Sequence, residues 1–259
     1  MDESAYFDYN HKMRFDVFTI LPEVFDPYLQ SSILKRAHES GLVEVHVHNI
    51  RDWTTDKHHT TDDEPYGGGG GMVMKAEPIF RSVESVLGAP PTCPLLMMTP
   101  QGNLFTQEKA RSFAQQPRIA LLAGRYEGLD ERIRQHLVTA EISIGDYVLT
   151  GGELPALVLI DAITRLIPGA LGDANATMKD SHAEGLLEHP HYTRPAEFRG
   201  WEVPEVLRSG NHAAIERWRK EQSLRRTWER RPEMLAQGDL TPEERQLIEK
   251  FKEGNQQEP

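Results

Sequence analysis

Two segments gather small and polar residues as a ligand loop requires: "GRYEGLDERI" (124–133) and "SIGDYVLTGGELPA" (143–156). Each sits at the end of an apolar run that reads as a strand, and open α/β sheets hold ligands at the carboxyl ends of their parallel strands. The two loops therefore predict a small-molecule cleft. A third segment, "EPYGGGGGM" (64–72), fits neither common phosphate motif. A P-loop ends in Gly-Lys-Ser/Thr, and this chain has no Gly-Lys pair. The dinucleotide fingerprint needs a strand just before it and a third glycine where Met72 stands, whereas "DKHHTTDDEPY" precedes the run. Two readings remain: a slack linker, or backbone that passes close to another chain or a ligand with no side chain between.

Metal chemistry is the next candidate, because His58, His59, Asp62 and Asp63 cluster before the glycines, with His46 and His48 upstream. The spacing does not favour it. No His-Glu-x-x-His is present, and adjacent histidines rarely direct both rings at one ion, so no metal ligands are assigned. From Arg208 to Arg231 eight Lys/Arg stand against three Glu, with Trp218 and Trp228 among them. Such a stretch suits phosphate contact with base or sugar packing, or a solvated helix face whose tryptophans turn into a core.

The elements that must position these residues follow from periodicity. "RFDVFTI" (14–20), "VEVHVHNI" (43–50), "CPLLMM" (93–98), "RIALLAG" (118–124) and "EISIGDYVL" (141–149) read as strands. Between or after them, "PEVFDPYLQSSILKRAHESG", "TQEKARSFAQ", "LDERIRQHL" and "LPALVLIDAITRLI" have helical spacing, as does the segment after the glycine run. The first 168 residues thus predict an α/β fold with a mostly parallel sheet. Periodicity fails from Pro168 to about Pro195, a stretch expected to be a linker or lid, and the remainder reads as a small all-helical domain. The expected division is 1–12 extension, 13–168 α/β domain, 169–194 linker and 195–259 helical domain with a polar tail.

The 259 residues are 38 % hydrophobic, enough for a sizeable core, and Cys93 is the only cysteine, so no intrachain disulfide exists. No apolar run approaches the roughly 20 residues that span a bilayer, and the opening lacks a signal-peptide pattern. A cytoplasmic protein with no membrane partner is expected. The net charge of −11 argues against a non-specific nucleic-acid binder, yet it averages over the basic helix.

"PYGGGGGM", "TPQG" (99–102), "GRYEGLDER", "SIGDYVLTGGELPA", "RLIPG", "AEGLL", "PHYTRP", "SGNH" and "RRPE" occur in this order. That set closely resembles the bacterial tRNA (guanine-N1)-methyltransferases, the TrmD family of the SPOUT superfamily, over nearly all of residues 13–252. The resemblance implies a SPOUT-type, mostly parallel sheet with a deep C-terminal trefoil knot, a rare exception to the rule that chains do not thread loops. It also implies S-adenosyl-L-methionine as methyl donor, tRNA as substrate, N1 of the guanosine 3′ to the anticodon (position 37) as acceptor, and a homodimer whose active sites are shared between subunits.

Carried onto this sequence, the family's donor contacts fall in three groups. The first is Thr99, Pro100 and Gly102; the second is Gly124, Tyr126 and Glu127. The third runs through Ile144, Gly145, Asp146, Tyr147, Val148 and Leu149, then Gly151, Gly152 and Pro155. The resemblance makes Asp180, in "KDSH", the general base and Arg165, in "RLIPG", the substrate-positioning arginine. Guanine N1 carries a proton at neutral pH, so it becomes nucleophilic only as a base removes that proton, while a fixed guanidinium stabilises charge building toward O6. The family's reaction is associated with Mg²⁺; no carboxylate cage in the sequence demands it, and Glu127 is the contact on offer.

Departures from the family pattern are His182, where phenylalanine is usual, His59 in place of arginine, and the residues before Met13. The resemblance also narrows "EPYGGGGGM" to a side-chain-free surface near the dimer interface and the tRNA path. Two other readings compete: a SPOUT ribose methyltransferase, whose site would be led by arginine, and an RNA-binding module that turns nothing over.

Overall fold

The computed structural model describes residues 12–172, 177–178, 180–238 and 240–255. The extension expected before Met13, except Lys12, lies outside the described residues, as do part of the linker and the end of the tail. The chain divides into two compact units, residues 1–174 and 175–259.

In the first unit, β1 (Met13–Thr19) and β2 (Val43–Asn49) pair in parallel and are joined through α1 (Asp26–Leu29) and α2 (Ser32–Glu39). The single helix suggested by the spacing is broken because Ser32 sits at φ 47°, a left-handed conformation that a right-handed helix cannot absorb. Two short strands, β3 (Asp62–Asp63) and β4 (Val73–Met74), pair antiparallel around the glycine run and lead into α3 (Ala76–Leu87). There follow β5 (Leu95–Leu104), α4 (Gln107–Ala114), β6 (Arg118–Ala123), α5 (Glu131–His136), β7 (Ala140–Ser143) and α6 (Glu153–Thr164). The main sheet has the order β2-β1-β6-β5-β7, and all its pairings are parallel.

Both faces of the central strands are buried, which is why β5 and β6 contain the apolar runs LLMM and IALLA, whereas the edge strand β2, VEVHVHN, alternates. Phe15, Val17, Leu96, Met98, Ile119 and Leu121 pack with Leu34 and Ala37 of α2, Ala110 of α4 and the buried side of α6. Their strand neighbours Phe18, Leu95, Met97, Ala120 and Leu122 pack on the opposite face with Ile79, Val83 and Leu87 of α3 and Ile133 of α5. A charge sits inside this layer: the Asp16 side chain is 0 % exposed and pairs with Arg14, Arg118 and His48, each at 2.8 Å. Burial alone would raise its pKa, but hydrogen bonds from His48, Arg14 and Arg118 outweigh that and hold the carboxyl well below the usual range.

The last strand ends at Ser143 rather than running to Leu149. Gly145 takes φ 151°, and its amide donates to Ser143 Oγ at 3.1 Å, a local bond that replaces the next rung of the ladder. The chain between β7 and α6 is consequently a loop.

The second unit contains a hairpin, β8 (Glu197–Phe198) and β9 (Trp201–Glu202), so the all-helical expectation needs correction. The hairpin turns through Arg199 (φ 58°) and Gly200 (φ 82°), which suits the mirror-image turns that tight hairpins prefer. Helices α7 (Glu205–Arg208), α8 (His212–Arg230), α9 (Pro232–Gln237) and α10 (Pro242–Asn255) follow. Leu224 of α8 packs with Ile248 and Phe251 of α10, Trp228 lies against that cluster, and Arg225 stacks over the Phe251 ring at 4.8 Å. Trp228 therefore serves the core. Residues of the expected linker are tied to α8: the Leu187 amide donates to Thr227 Oγ1 at 2.9 Å, and Arg226 donates to the Glu188 carbonyl at 3.0 Å. No described helix is long and apolar enough to cross a membrane.

Candidate functional site

A cavity of about 350 Å³ opens at the carboxyl ends of β5, β6 and β7. Its volume falls within the range of small-ligand pockets, roughly 300–1,000 Å³. Three loops wall it, one from each strand, and each is shaped by a different local rule.

The β5 wall is a bulge. Met98 and Asn103 both register with Ile142 of β7, so residues 99–102 loop out between two paired parts of one strand. Thr99 and Pro100 line the cavity. Gly102 closes the neck of the bulge: a Cβ there would lie 2.4 Å from the backbone of Glu141 and Ile142. Its missing side chain serves the β5–β7 contact, and it is not among the cavity's lining residues.

The β6 wall is "GRYEGL", 124–129. It is stapled to the strand that follows the glycine run, with Glu127 N donating to Met72 O (3.0 Å), Met74 N to Gly128 O (2.9 Å) and Asp130 N to Met74 O (2.9 Å). Tyr126 takes φ 61°, a strained value for a residue with a side chain, and ends half exposed over the cavity. Four of the five glycines have positive φ, and at Gly71 a Cβ would lie 2.5 Å from Cγ of Glu127. The glycine run thus backs the cavity loop within its own unit. Gly70, by contrast, faces open space at an ordinary φ. We expect Gly71→Ala to displace Glu127 and to cost about 1–2 kcal/mol in left-handed strain, with Gly70→Ala near neutral, as read by thermal unfolding and activity. Equal effects from the two variants would contradict this account of the run.

The β7 wall spans 144–152 and leads into α6. Ile144, Gly145, Tyr147, Val148, Leu149, Gly151 and Gly152 line the cavity, as does Pro155; Asp146, in the same loop, is exposed and does not. Gly152 lets this loop press on its neighbour: its amide donates to Gly124 O at 2.8 Å, and a Cβ would meet Ala123 Cα at 2.8 Å. At Gly124 a Cβ would lie 2.2 Å from Leu129 Cδ1, a side-chain tip that would have to turn away. Two charged residues that the sequence gave no reason to single out meet behind this wall. Glu153, 2 % exposed at the start of α6, accepts from Thr19 Oγ1 at 2.8 Å and from Arg125 Nε at 3.2 Å, and Arg125 lines the cavity.

The remaining assigned residues lie elsewhere. Arg165 caps the C-terminal end of α6 and is absent from the cavity lining. Asp180 belongs to the second unit, where it shares a recess of about 110 Å³ with His189, Arg219 and Lys220. Burial, reinforced by the nearby His191 and Arg219, lowers the His189 pKa. Among the loop histidines, His59 is engaged by Thr54 Oγ1 at 2.9 Å and the Arg51 carbonyl at 3.1 Å. No group of three or more metal-ligating side chains occurs among the described residues.

Fold and cavity define an α/β protein with a cavity of small-ligand size at the carboxyl edge of a parallel sheet. Residues 13–237 match the family model for tRNA (guanine-1)-methyltransferase TrmD, and the chain belongs to that family, a family of transferases. It is 55 % identical to a tRNA (guanine-N(1)-)-methyltransferase of Dehalococcoides mccartyi over 240 residues, 92 % of this chain and 97 % of that protein. Proteins of the same name from Moorella thermoacetica (55 % over 241 residues, 92 % and 96 %) and Thermomicrobium roseum (57 % over 239 residues, 92 % and 89 %) are similarly close.

Proposed function

We propose that this enzyme transfers the methyl group of S-adenosyl-L-methionine to N1 of the guanosine at position 37 of tRNA, with Asp180 as general base. The observation that carries the reading is the cavity walled by three loops, whose glycines bring backbone groups within reach of a ligand, in a chain that belongs to this family. Its size suits a nucleoside, and it offers carbonyls and amides for an adenine edge together with the charges of Arg125 and Glu127 for an amino acid end. When bound, the donor supplies an electrophilic methyl on a sulfonium centre.

The chain's own residues do the rest. Asp180 accepts the N1 proton as the N1–methyl bond forms and the sulfonium bond breaks, and Arg165 stabilises the negative charge that builds toward O6. The exposed carboxylates lining the cavity are Glu127 and Glu131; Glu131 lies 3.5 Å from Arg134, and Glu127 would be the contact for Mg²⁺.

The reading includes the trefoil threading. Its support is the path from the β7 edge of the sheet back to Gly124 after β6, past the end of β5, which lies between them in strand order. It also includes a homodimer. α6 leaves Leu154 (58 %) and Val158 exposed beside Tyr147 and Val148 (83 %), an apolar face that a second copy would cover. The basic exposed residues of α8, Arg217, Arg225 and Arg230, supply phosphate contacts for tRNA, and a tRNA substrate places the enzyme in the cytoplasm.

Incubating the protein with S-adenosylmethionine and unmodified tRNA, then mapping the product by mass spectrometry, tests the whole. N1-methylguanosine at position 37 is expected. A 2′-O-methyl product would select the ribose methyltransferase reading, and tRNA binding without any methylated product would select the binding module.

A further inference from the structure

The geometry points to Arg125 as the residue that binds the α-carboxylate of the methyl donor, held in place by the buried carboxylate of Glu153. The inference rests on the donor reading above and goes beyond it by naming the donor group that Arg125 meets and by giving Glu153, which that reading leaves without a role, the task of holding Arg125.

Glu153 is nearly inaccessible, and a buried carboxylate is tolerated only when its oxygens are satisfied. Thr19 Oγ1 donates to Oε1 at 2.8 Å, and Arg125 Nε lies 3.2 Å from both Oε1 and Oε2. With those oxygens engaged, Glu153 is not poised to take a proton from substrate. What it can do is fix a guanidinium. The surrounding backbone is built for that pair: Arg125 and Gly151 form an antiparallel bridge, and a Cβ on Gly151 would stand 2.4 Å from Glu153 Oε2 and 2.8 Å from Arg125 Nε. Glycine at 151 thus makes room for an ion pair behind the cavity wall.

Arg125 is 26 % exposed, and it is one of two cations lining the cavity. The other, Arg134, is committed: its Nη1 donates to Gln101 Oε1 at 2.6 Å and lies 3.5 Å from Glu141, while its Nε lies 3.5 Å from Glu131. Arg125 meets Glu153 through Nε, and no hydrogen bond among the described residues engages its two Nη groups. A planar guanidinium can hold one carboxylate on one edge and receive another on the next, as a lysine ammonium cannot. The ligand class that uses such a donor is a zwitterionic amino acid attached to a nucleoside. Arg125 is then a binding residue and Glu153 a positioning residue.

Calorimetric titration with S-adenosylmethionine and with decarboxylated S-adenosylmethionine, which lacks only that carboxylate, isolates the contact. Wild-type protein should prefer the carboxylated ligand. Arg125→Lys keeps a charge toward Glu153 and should lose about tenfold or more in affinity for S-adenosylmethionine while staying within about twofold for the decarboxylated ligand. Glu153→Gln, checked by circular dichroism for folding, should shift the preference in the same direction; if it does not fold, Arg125→Lys decides alone. Equal weakening toward both ligands, or none toward either, overturns the inference and leaves the donor reading intact. A folded wild-type protein that binds neither ligand overturns both.

Discussion

Asp180→Ala is expected to retain donor affinity within about twofold and to lower turnover by about 10²–10⁴-fold, the span that general-base catalysis contributes. The separation follows from placement: Asp180 lies in the second unit, and the cavity proposed for the donor is formed by the first. A residue that only shaped the donor pocket would raise KM instead. Subunit mixing sharpens the test. If the site is shared, Asp180→Ala subunits combined with subunits defective in donor binding should regain part of the activity in heterodimers. Heterodimers that form and stay inactive would sink the shared-site reading, and near-normal turnover in the single variant would remove Asp180 from the mechanism.

The second large effect is on stability. Asp16→Ala should destabilise the fold by about 2–4 kcal/mol, because it removes the one anion between Arg14, Arg118 and His48 in a packed layer. The lower part of the range applies if the guanidinium groups, which are partly exposed, recover hydration. Asp16 has a depressed folded pKa, so its contribution is complete above the unfolded value of about 4 and is lost as pH falls below that toward the folded value. Denaturant unfolding from pH 7 down to pH 2 should show the wild-type advantage over Asp16→Ala shrinking below about pH 4. An advantage independent of pH would mean that Asp16 acts by packing and not by charge.

The parallel sheet was legible because two buried faces leave an unambiguous signal: "IALLA" and "LLMM" have no polar residue to misplace. The cavity loops were legible as glycine-rich segments after strands. What each glycine does was not. Gly102, Gly151 and Gly152 look alike in sequence, yet one fits a strand neighbour, one makes room for an ion pair and one fits the adjacent loop. Arg125 and Glu153 escaped notice for a related reason. They stand 28 residues apart inside segments already quoted, and nothing in either segment reveals that a carboxylate is buried or which cation meets it. The two tryptophans of α8 left two readings open, and packing with Phe251 decided Trp228 for the core, while Trp218 stands beside Tyr192 at a ring distance of 6.4 Å.

The bulge in β5 carries a constraint on how this protein can vary. Both ends of the 99–102 loop are held by the same partner strand, Met98 and Asn103 at Ile142 and Leu104 at Ser143, and Phe105 N then donates to Ser143 O. Composition and length are constrained separately: Thr99 and Pro100 line the cavity, Gln101 accepts from Arg134 and Gly102 fits the neck, whereas length is set by the pairing alone. Deleting one residue would turn Asn103 and Leu104 to opposite faces of the sheet and pull the chain off its last two rungs. Among descendants of this sequence insertions and deletions should accumulate elsewhere, so that the residue count of this loop is kept even where one of its side chains is exchanged.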